Sequence, residues 1–376
     1  MKLRVWRNLV IDLLLTGAAL VLFALFHHVL PRQQESIGIV IPNPNASVVE
    51  ETVTGRLDNM ELLAAGPTSG IVSDTGTSLL AKGGSRNSTR QNKSGSGSSS
   101  KGGSALTEET EEPSETETES AVSMAEKFQE MYTDGIEQTD QSYKSPNVSV
   151  TVTEYTTDDG SVTYYVADIF LKDITSFQTA MANNTYGSGY RDEISDMARI
   201  GNALVAVNGD YYGNTSEGVV IRNGVIYRAN PTNCDVCVLY YDGTMKVMPG
   251  SSFTVEDAIS DGAWQAWTFG PALLDGNGEA IEQFSSTSRI ISANPRTAIG
   301  YYEPGHYCMV VVDGRGASDG MTLPELSQLF EDMGCKAAYN LDGGNSSIMV
   351  WKDEVVNDPS GGGRASSDAV LICEVN

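Results

Sequence analysis

Two apolar runs in the C-terminal third of the chain end in acidic, glycine-rich turns. Met309–Val312 leads into Asp313-Gly314-Arg315-Gly316, and Ala337–Leu341 leads into Asp342-Gly343-Gly344-Asn345-Ser346-Ser347. A helical segment lies between them. Strand, acidic turn, helix, strand, acidic turn is a pattern that opens both turns on one sheet edge, so Asp313 and Asp342 are expected to meet across one pocket. A third polar turn, Asn208-Gly209-Asp210-Tyr211-Tyr212-Gly213, closes the apolar strand Ala203–Val207. There Asn208 can orient a hydroxyl, Asp210 can accept a proton, and the tyrosines can stack on a sugar face. Gly209 lets a ligand approach the backbone.

Other chemistries find less support. Ser346 as a nucleophile needs a histidine base, and the sole histidine beyond the N-terminal apolar segment is His306, in a hairpin turn. No His/Cys/carboxylate spacing resembles a transition-metal site, so no cofactor is expected; Ca²⁺ held through Asp313 or Asp342 is the alternative. Cys234-Asp235-Val236-Cys237 has no second pair to complete a zinc site and leads into a strand, so it reads as a local disulfide or two free thiols. A formal net charge of −25 without a basic stripe excludes a nucleic-acid partner.

The elements that position the turns follow from pattern. Val148, Val150 and Val152 alternate with polar residues as a strand, and Val162–Leu171 pairs back across Asp158-Asp159-Gly160. Asn223-Gly224 and Asp242-Gly243 mark two more hairpins. Asp192–Ile200 and Thr254–Ser260 read as short helices. Thr322–Met333 is a helix with Thr322 at its N-cap, Gly334 past its end, and Leu323, Leu326, Leu329, Phe330 and Met333 on its apolar face. Trp264 and Trp267 are either a sugar platform or core. The fold class expected is α+β, a mixed β-sheet core with hairpins and a few packed helices.

Before this domain, residues 1–8 are basic and residues 9–30 are apolar with few polar interruptions. They predict a cytoplasmic tail and one transmembrane anchor, which would put the C-terminal domain outside the cytoplasm on a single-pass cell-membrane protein. Residues 31–146 form a low-complexity linker. It contains the Gly/Ser-rich Gly83–Ser104, the acidic Thr107–Ser120 and a possible amphipathic helix at Ala121–Tyr132. Residues 147–376 form the globular domain.

The stretches NGDYYG, PRTAIGYY, VVVDGRGASDGMTLPEL and NLDGGNSSIMVW resemble the phosphodiester glycosidase family, across the whole of residues 147–376. That family includes N-acetylglucosamine-1-phosphodiester α-N-acetylglucosaminidases and bacterial exopolysaccharide-associated proteins. The resemblance implies hydrolysis between a sugar's anomeric carbon and a phosphodiester oxygen, with a phosphorylated glycan as substrate. Cleaving that bond builds oxocarbenium character that a carboxylate stabilises, attacks, or relieves by activating water. On this reading Asp313, Asp342 and Arg315 are catalytic, with the roles of the two aspartates open. Arg296 and Arg315 are the phosphate ligands, with Arg364 a further candidate for the same phosphate, Thr297 is a substrate contact, and Gly343, Gly344, Ser346 and Ser347 offer an anion-binding nest. Asn208, Gly209 and Asp210 hold the sugar. The alternatives are a non-catalytic wall-polysaccharide binding domain and a phosphodiesterase that breaks the P–O bond.

Overall fold

The computed structural model describes residues 2–24, 30–44 and 123–375. The Gly/Ser-rich and acidic parts of the expected linker lie outside these residues.

Among the described residues, three antiparallel sheets of five to seven strands build the folded unit, with a two-stranded pair, Arg32–Gln33 and Gly187–Ser188, beside them. The largest has the order Ala337–Asn340, Arg296–Glu303, His306–Val312, Thr163–Leu171, Val148–Thr156, Ser142–Lys144, Glu137–Gln138. The second runs Met245–Pro249, Asp235–Tyr240, Ala263–Thr268, Val219–Arg222, Val225–Ala229, Ile39–Val40. The third runs Glu354–Val355, Met349–Trp351, Ala203–Asn208, Asp368–Cys373, Phe177–Met181. The α+β class holds. Every strand pair among the described residues is antiparallel where a mixed sheet was expected, because hairpins rather than helical crossovers make most connections.

The hairpins form where turn chemistry demands them. Asn223 and Gly224 both take positive φ, 51° and 75°, which a two-residue turn between Val219–Arg222 and Val225–Ala229 requires. The helix Leu323–Asp332 begins with a reciprocal capping box. Thr322 Oγ1 accepts from the Glu325 N–H, and Glu325 accepts from the Thr322 N–H. Its buried face, Leu323, Leu326 and Phe330, packs on Ala298, Val310 and Val312 of the largest sheet. That contact fixes the two strands whose ends carry the Asp313 turn and Arg296.

Several expectations are corrected. Residues 31–44 and 123–146 are expected in the linker, yet they belong to the folded unit. Ile39–Val40 pairs with Val225–Ala229, Ser142–Lys144 pairs with Val148–Thr156, and Ile41 is buried in the main core. The expected helix Ala121–Tyr132 is a single turn, Met124–Lys127, followed by the 3₁₀ turn Gln129–Met131. The expected span Leu9–Leu30 is not supported. The N-terminal helix is Lys2–Ala24, and among the described residues no helix is long and apolar enough to cross a membrane. Trp264 and Trp267 are both buried in the main core and offer no sugar platform. All five cysteines are free thiols, Cys234 exposed and the others buried.

Candidate active site

Asp342 follows the strand Ala337–Asn340, where the chain leaves the largest sheet to reach the third. Its main chain is clamped from both sides. Its N–H donates to the Gly209 carbonyl at 3.3 Å, and its carbonyl accepts from Asn208 Nδ2 at 2.7 Å. Asn208 is fully buried and its amide is saturated. Nδ2 also donates to the Gly209 carbonyl, while Oδ1 accepts from Thr297 Oγ1 at 2.7 Å and from the Ile348 N–H at 3.4 Å. Asn208, Gly209 and Thr297 therefore hold the Asp342 turn in place from beneath. The amide of Asn208 has no capacity left for a sugar hydroxyl.

The next two residues need to be glycine. A Cβ on Gly343 would lie 2.8 Å from the Pro295 carbonyl oxygen, and Gly344 sits at φ 68° with Arg315 Nη1 beside it. The expected nest does not form. The Gly344 N–H donates to the Pro295 carbonyl, and the N–H groups of Ser346 and Ser347 close a 3₁₀ turn onto Gly343 and Gly344. Ser346, buried, turns its hydroxyl to Arg364 instead, accepting from Nε at 2.9 Å and Nη2 at 2.6 Å. Arg364 Nη2 also donates to Asp342 Oδ2 at 2.7 Å, and its guanidinium lies over the Tyr211 ring at 5.4 Å.

These groups border a cleft of about 340 Å³ lined by Arg289, Arg296, Arg315 and Arg364, with Asp342 as its one carboxylate. Asn294, Asn340, Asn345 and Phe269 complete much of the wall. Burial raises the Asp342 carboxyl above the ordinary carboxylate range. The Ser346 hydroxyl, Arg364 and the Gly343 N–H oppose that rise. Arg296 is 4% exposed. Its Nε and Nη2 donate to the carbonyls of Met321, Ile290 and Ser292. Burial, with neighbouring Arg315 as a second cause, pushes its guanidinium down to about 10. Arg315, at φ 61°, donates to the side-chain oxygens of Asn345 at 3.1 Å and Asn294 at 2.6 Å.

Two expected site aspartates are elsewhere. Asp313 does not line the cleft. Its buried carboxylate accepts from Asn357 Nδ2 at 2.8 Å and from the Asp358 N–H at 3.1 Å. Asn357 Nδ2 also reaches the buried Ser347 carbonyl, so Asp313 braces the Asp342 turn through Asn357. Burial raises its carboxyl too. Asp210 is 1% exposed and ion-paired with Arg222 at 2.8 Å, and it accepts from the Thr268 N–H at 2.8 Å. It is a structural group, as is Tyr212, which is fully buried. Among the described residues no group of three His, Cys, Asp or Glu side chains is placed to hold a metal ion.

Arg289, Asn294, Asn340 and Asn345 were not singled out from sequence. Asn340 and Asn345 stand inside a stretch that was and Asn294 directly before another, and the amides of Asn294 and Asn345 carry a signal only once Arg315 is seen between them. Arg289 sits in a polar stretch and gives no signal of its own.

Residues 201–373 match the family model described as phosphodiester glycosidase. A curated relative, the SPbeta prophage-derived uncharacterized protein YomE of Bacillus subtilis, is 32% identical over 195 residues. That alignment covers 50% of this chain and 30% of the relative, so the chain spans about a third of the protein it matches. Among solved structures, the zebrafish N-acetylglucosamine-1-phosphodiester alpha-N-acetylglucosaminidase catalytic domain, auto-inhibited by its pro-peptide, aligns at 22% identity and TM-score 0.48, over 61% of this chain and 83% of that one. A hypothetical protein from Synechocystis aligns at 13% identity and TM-score 0.46, over 60% and 62%. The resemblance drawn from the motifs is thus a family match over residues 201–373.

Proposed function

We propose, from the phosphodiester glycosidase match of residues 201–373, that this chain hydrolyses the bond between a sugar's anomeric carbon and a phosphodiester oxygen. The observation that carries the reading is one carboxylate facing four guanidinium groups in a single cleft. In this reaction the C1–O bond breaks and its electron pair stays on the bridging oxygen, so charge on the phosphate grows as positive charge grows on the sugar. Water forms the new C1–O bond and gives up its proton. Asp342 meets the positive end, and the arginines meet the growing negative end. Such groups act most strongly in the transition state, where the charges they face are largest. A phosphate leaves as a weak base, which agrees with a cleft holding a single carboxylate and no second one to serve as general acid.

The substrate on this reading is a sugar-1-phosphodiester of cell-surface polysaccharide or a related glycoconjugate, met outside the cytoplasm. The support for location is the order of a basic and then an apolar stretch in residues 1–30, the order an export signal takes. Protease access to the C-terminal domain on intact cells tests it, and protection of that domain would overturn it. The activity is tested with the full chain and a panel of p-nitrophenyl-phospho- and methyl-phospho-sugars in ¹⁸O-water. Label on the sugar is expected. Label on the phosphate would assign P–O cleavage, and tight glycan binding with no release would assign a binding domain.

A further inference from the structure

We propose that the cleft takes two neighbouring phosphates, the scissile phosphodiester on the sugar and a second phosphate next along the leaving group. This rests on the glycosidase reading and deepens it. Four guanidinium groups against one carboxylate leave three positive charges in the cleft of a chain whose formal net charge is −25. Only Arg364 spends its charge on a carboxylate there, Asp342. Arg296 is buried yet donates only to neutral carbonyls, and its Nη1 has no hydrogen-bond partner among the described residues. Arg315 donates only to neutral asparagine side chains, and Arg289 makes no ion pair among the described residues.

A buried arginine with no ion-paired carboxylate is costly, and the exposed Arg315 adds to that cost at Arg296, with Glu325 offsetting part of it. Arg296 and Arg315 feel one another in this way. A bound anion removes that cost. A phosphodiester brings one negative charge, and the monoester it releases approaches two at neutral pH, since its second ionisation lies near pH ~6. Three guanidiniums without carboxylates exceed that demand by one, and a second phosphate supplies it. At about 340 Å³ the cleft is near the small end for ligand sites, which puts the second phosphate close to the first.

Two kinds of compound carry this chemistry: a sugar 1-diphosphate ester, and a polymer with successive phosphodiesters on a short polyol. The test uses the full chain and three compounds on the sugar found active in the panel: the methyl phosphate, the methyl diphosphate, and the phosphoglycerol methyl phosphate. One two-phosphate compound is expected to exceed the methyl phosphate in kcat/KM by about tenfold or more, the size of one added charge-assisted contact. That ratio should shrink severalfold in Arg289→Gln, an exposed position where folding is not at risk. Whichever two-phosphate arm leads identifies the source. Equal kcat/KM on all three compounds would overturn the proposal. Calorimetry separates it from the glycosidase reading. Pyrophosphate should bind about tenfold more tightly than inorganic phosphate, with that preference reduced in Arg289→Gln. That outcome without turnover of any compound would sink the glycosidase reading and leave the two-phosphate site standing. Equal binding of the two anions would sink the site.

Discussion

Asp342 Oδ2 and Arg364 Nη2 form a 2.7 Å ion pair in which the carboxylate is nearly buried and the arginine is substantially exposed. The pair is asymmetric in consequence as well as in exposure. Burial raises the Asp342 carboxyl and the Ser346 hydroxyl and then Arg364 oppose that rise, whereas Arg364 keeps contact with water and with Ser346.

Asp342→Asn should reduce kcat by about 10³-fold or more while leaving KM within a few-fold, because the group acts on charge that appears only in the transition state. Circular dichroism and the unfolding midpoint should stay near wild type. A drop of less than tenfold with intact folding would remove Asp342 from the chemistry.

Arg364→Gln should move the acidic limb of the pH–activity profile to higher pH. Burial already raises the Asp342 carboxyl, and Arg364 opposes that rise. Without it the carboxyl rises further, so the ionised form is lost at a less acidic pH. An unmoved or lowered limb would mean that the activity does not depend on ionised Asp342.

Asn208→Ala should destabilise the fold by about 3 kcal/mol, since it strands the buried Thr297 hydroxyl, the Ile348 N–H and the Asp342 carbonyl. Denaturant unfolding measures it. Unchanged stability with a raised KM would instead make Asn208 a substrate ligand.

Asp368 gives a stability-versus-pH prediction. It is fully buried and shares Arg222 with Asp210, so two carboxylates face one guanidinium. Burial, and then Asp210 against the opposing pull of Arg222, push its carboxyl up to about 7. An unfolded aspartate titrates near ~3.9. Between these values the folded chain binds the extra proton, so its contribution is full below the lower value and is lost as pH rises through the upper. Melting temperature should therefore fall from pH 5 to pH 8, and fall less in Asp368→Asn. The same fall in both proteins would refute the assignment.

The hairpins and the capped helix were legible in the sequence because each is fixed by residues a few positions apart. Asn223-Gly224 demands its turn, and Thr322 with Glu325 caps its helix wherever the segment lies. The Asp342 turn stood out by its glycines, but Gly343 and Gly344 serve a close approach to Pro295 and not the anion nest read from them. The direction of a carboxylate beyond the end of a strand was not. Asp313 and Asp342 read alike, yet Asp313 turns to Asn357, 44 positions later, while Arg315 reverses at positive φ and reaches the cleft in its place. Asp210 reads as a site residue until Arg222 is seen to claim it. These outcomes depend on which distant segment arrives with a donor, and no local pattern encodes that.

The cleft has a buried floor and an exposed rim. Asp342, Arg296 and Asn340 are held by strands and their main-chain neighbours, while Arg289, Arg315 and Arg364 project from loops and a single helical turn. Substitutions at the floor disturb the sheets, and substitutions at the rim do not. Descent with modification therefore has a free hand at one level only. On the proposed glycosidase reading, exchange of Arg289 or Arg315 retunes the glycan taken without touching Asp342.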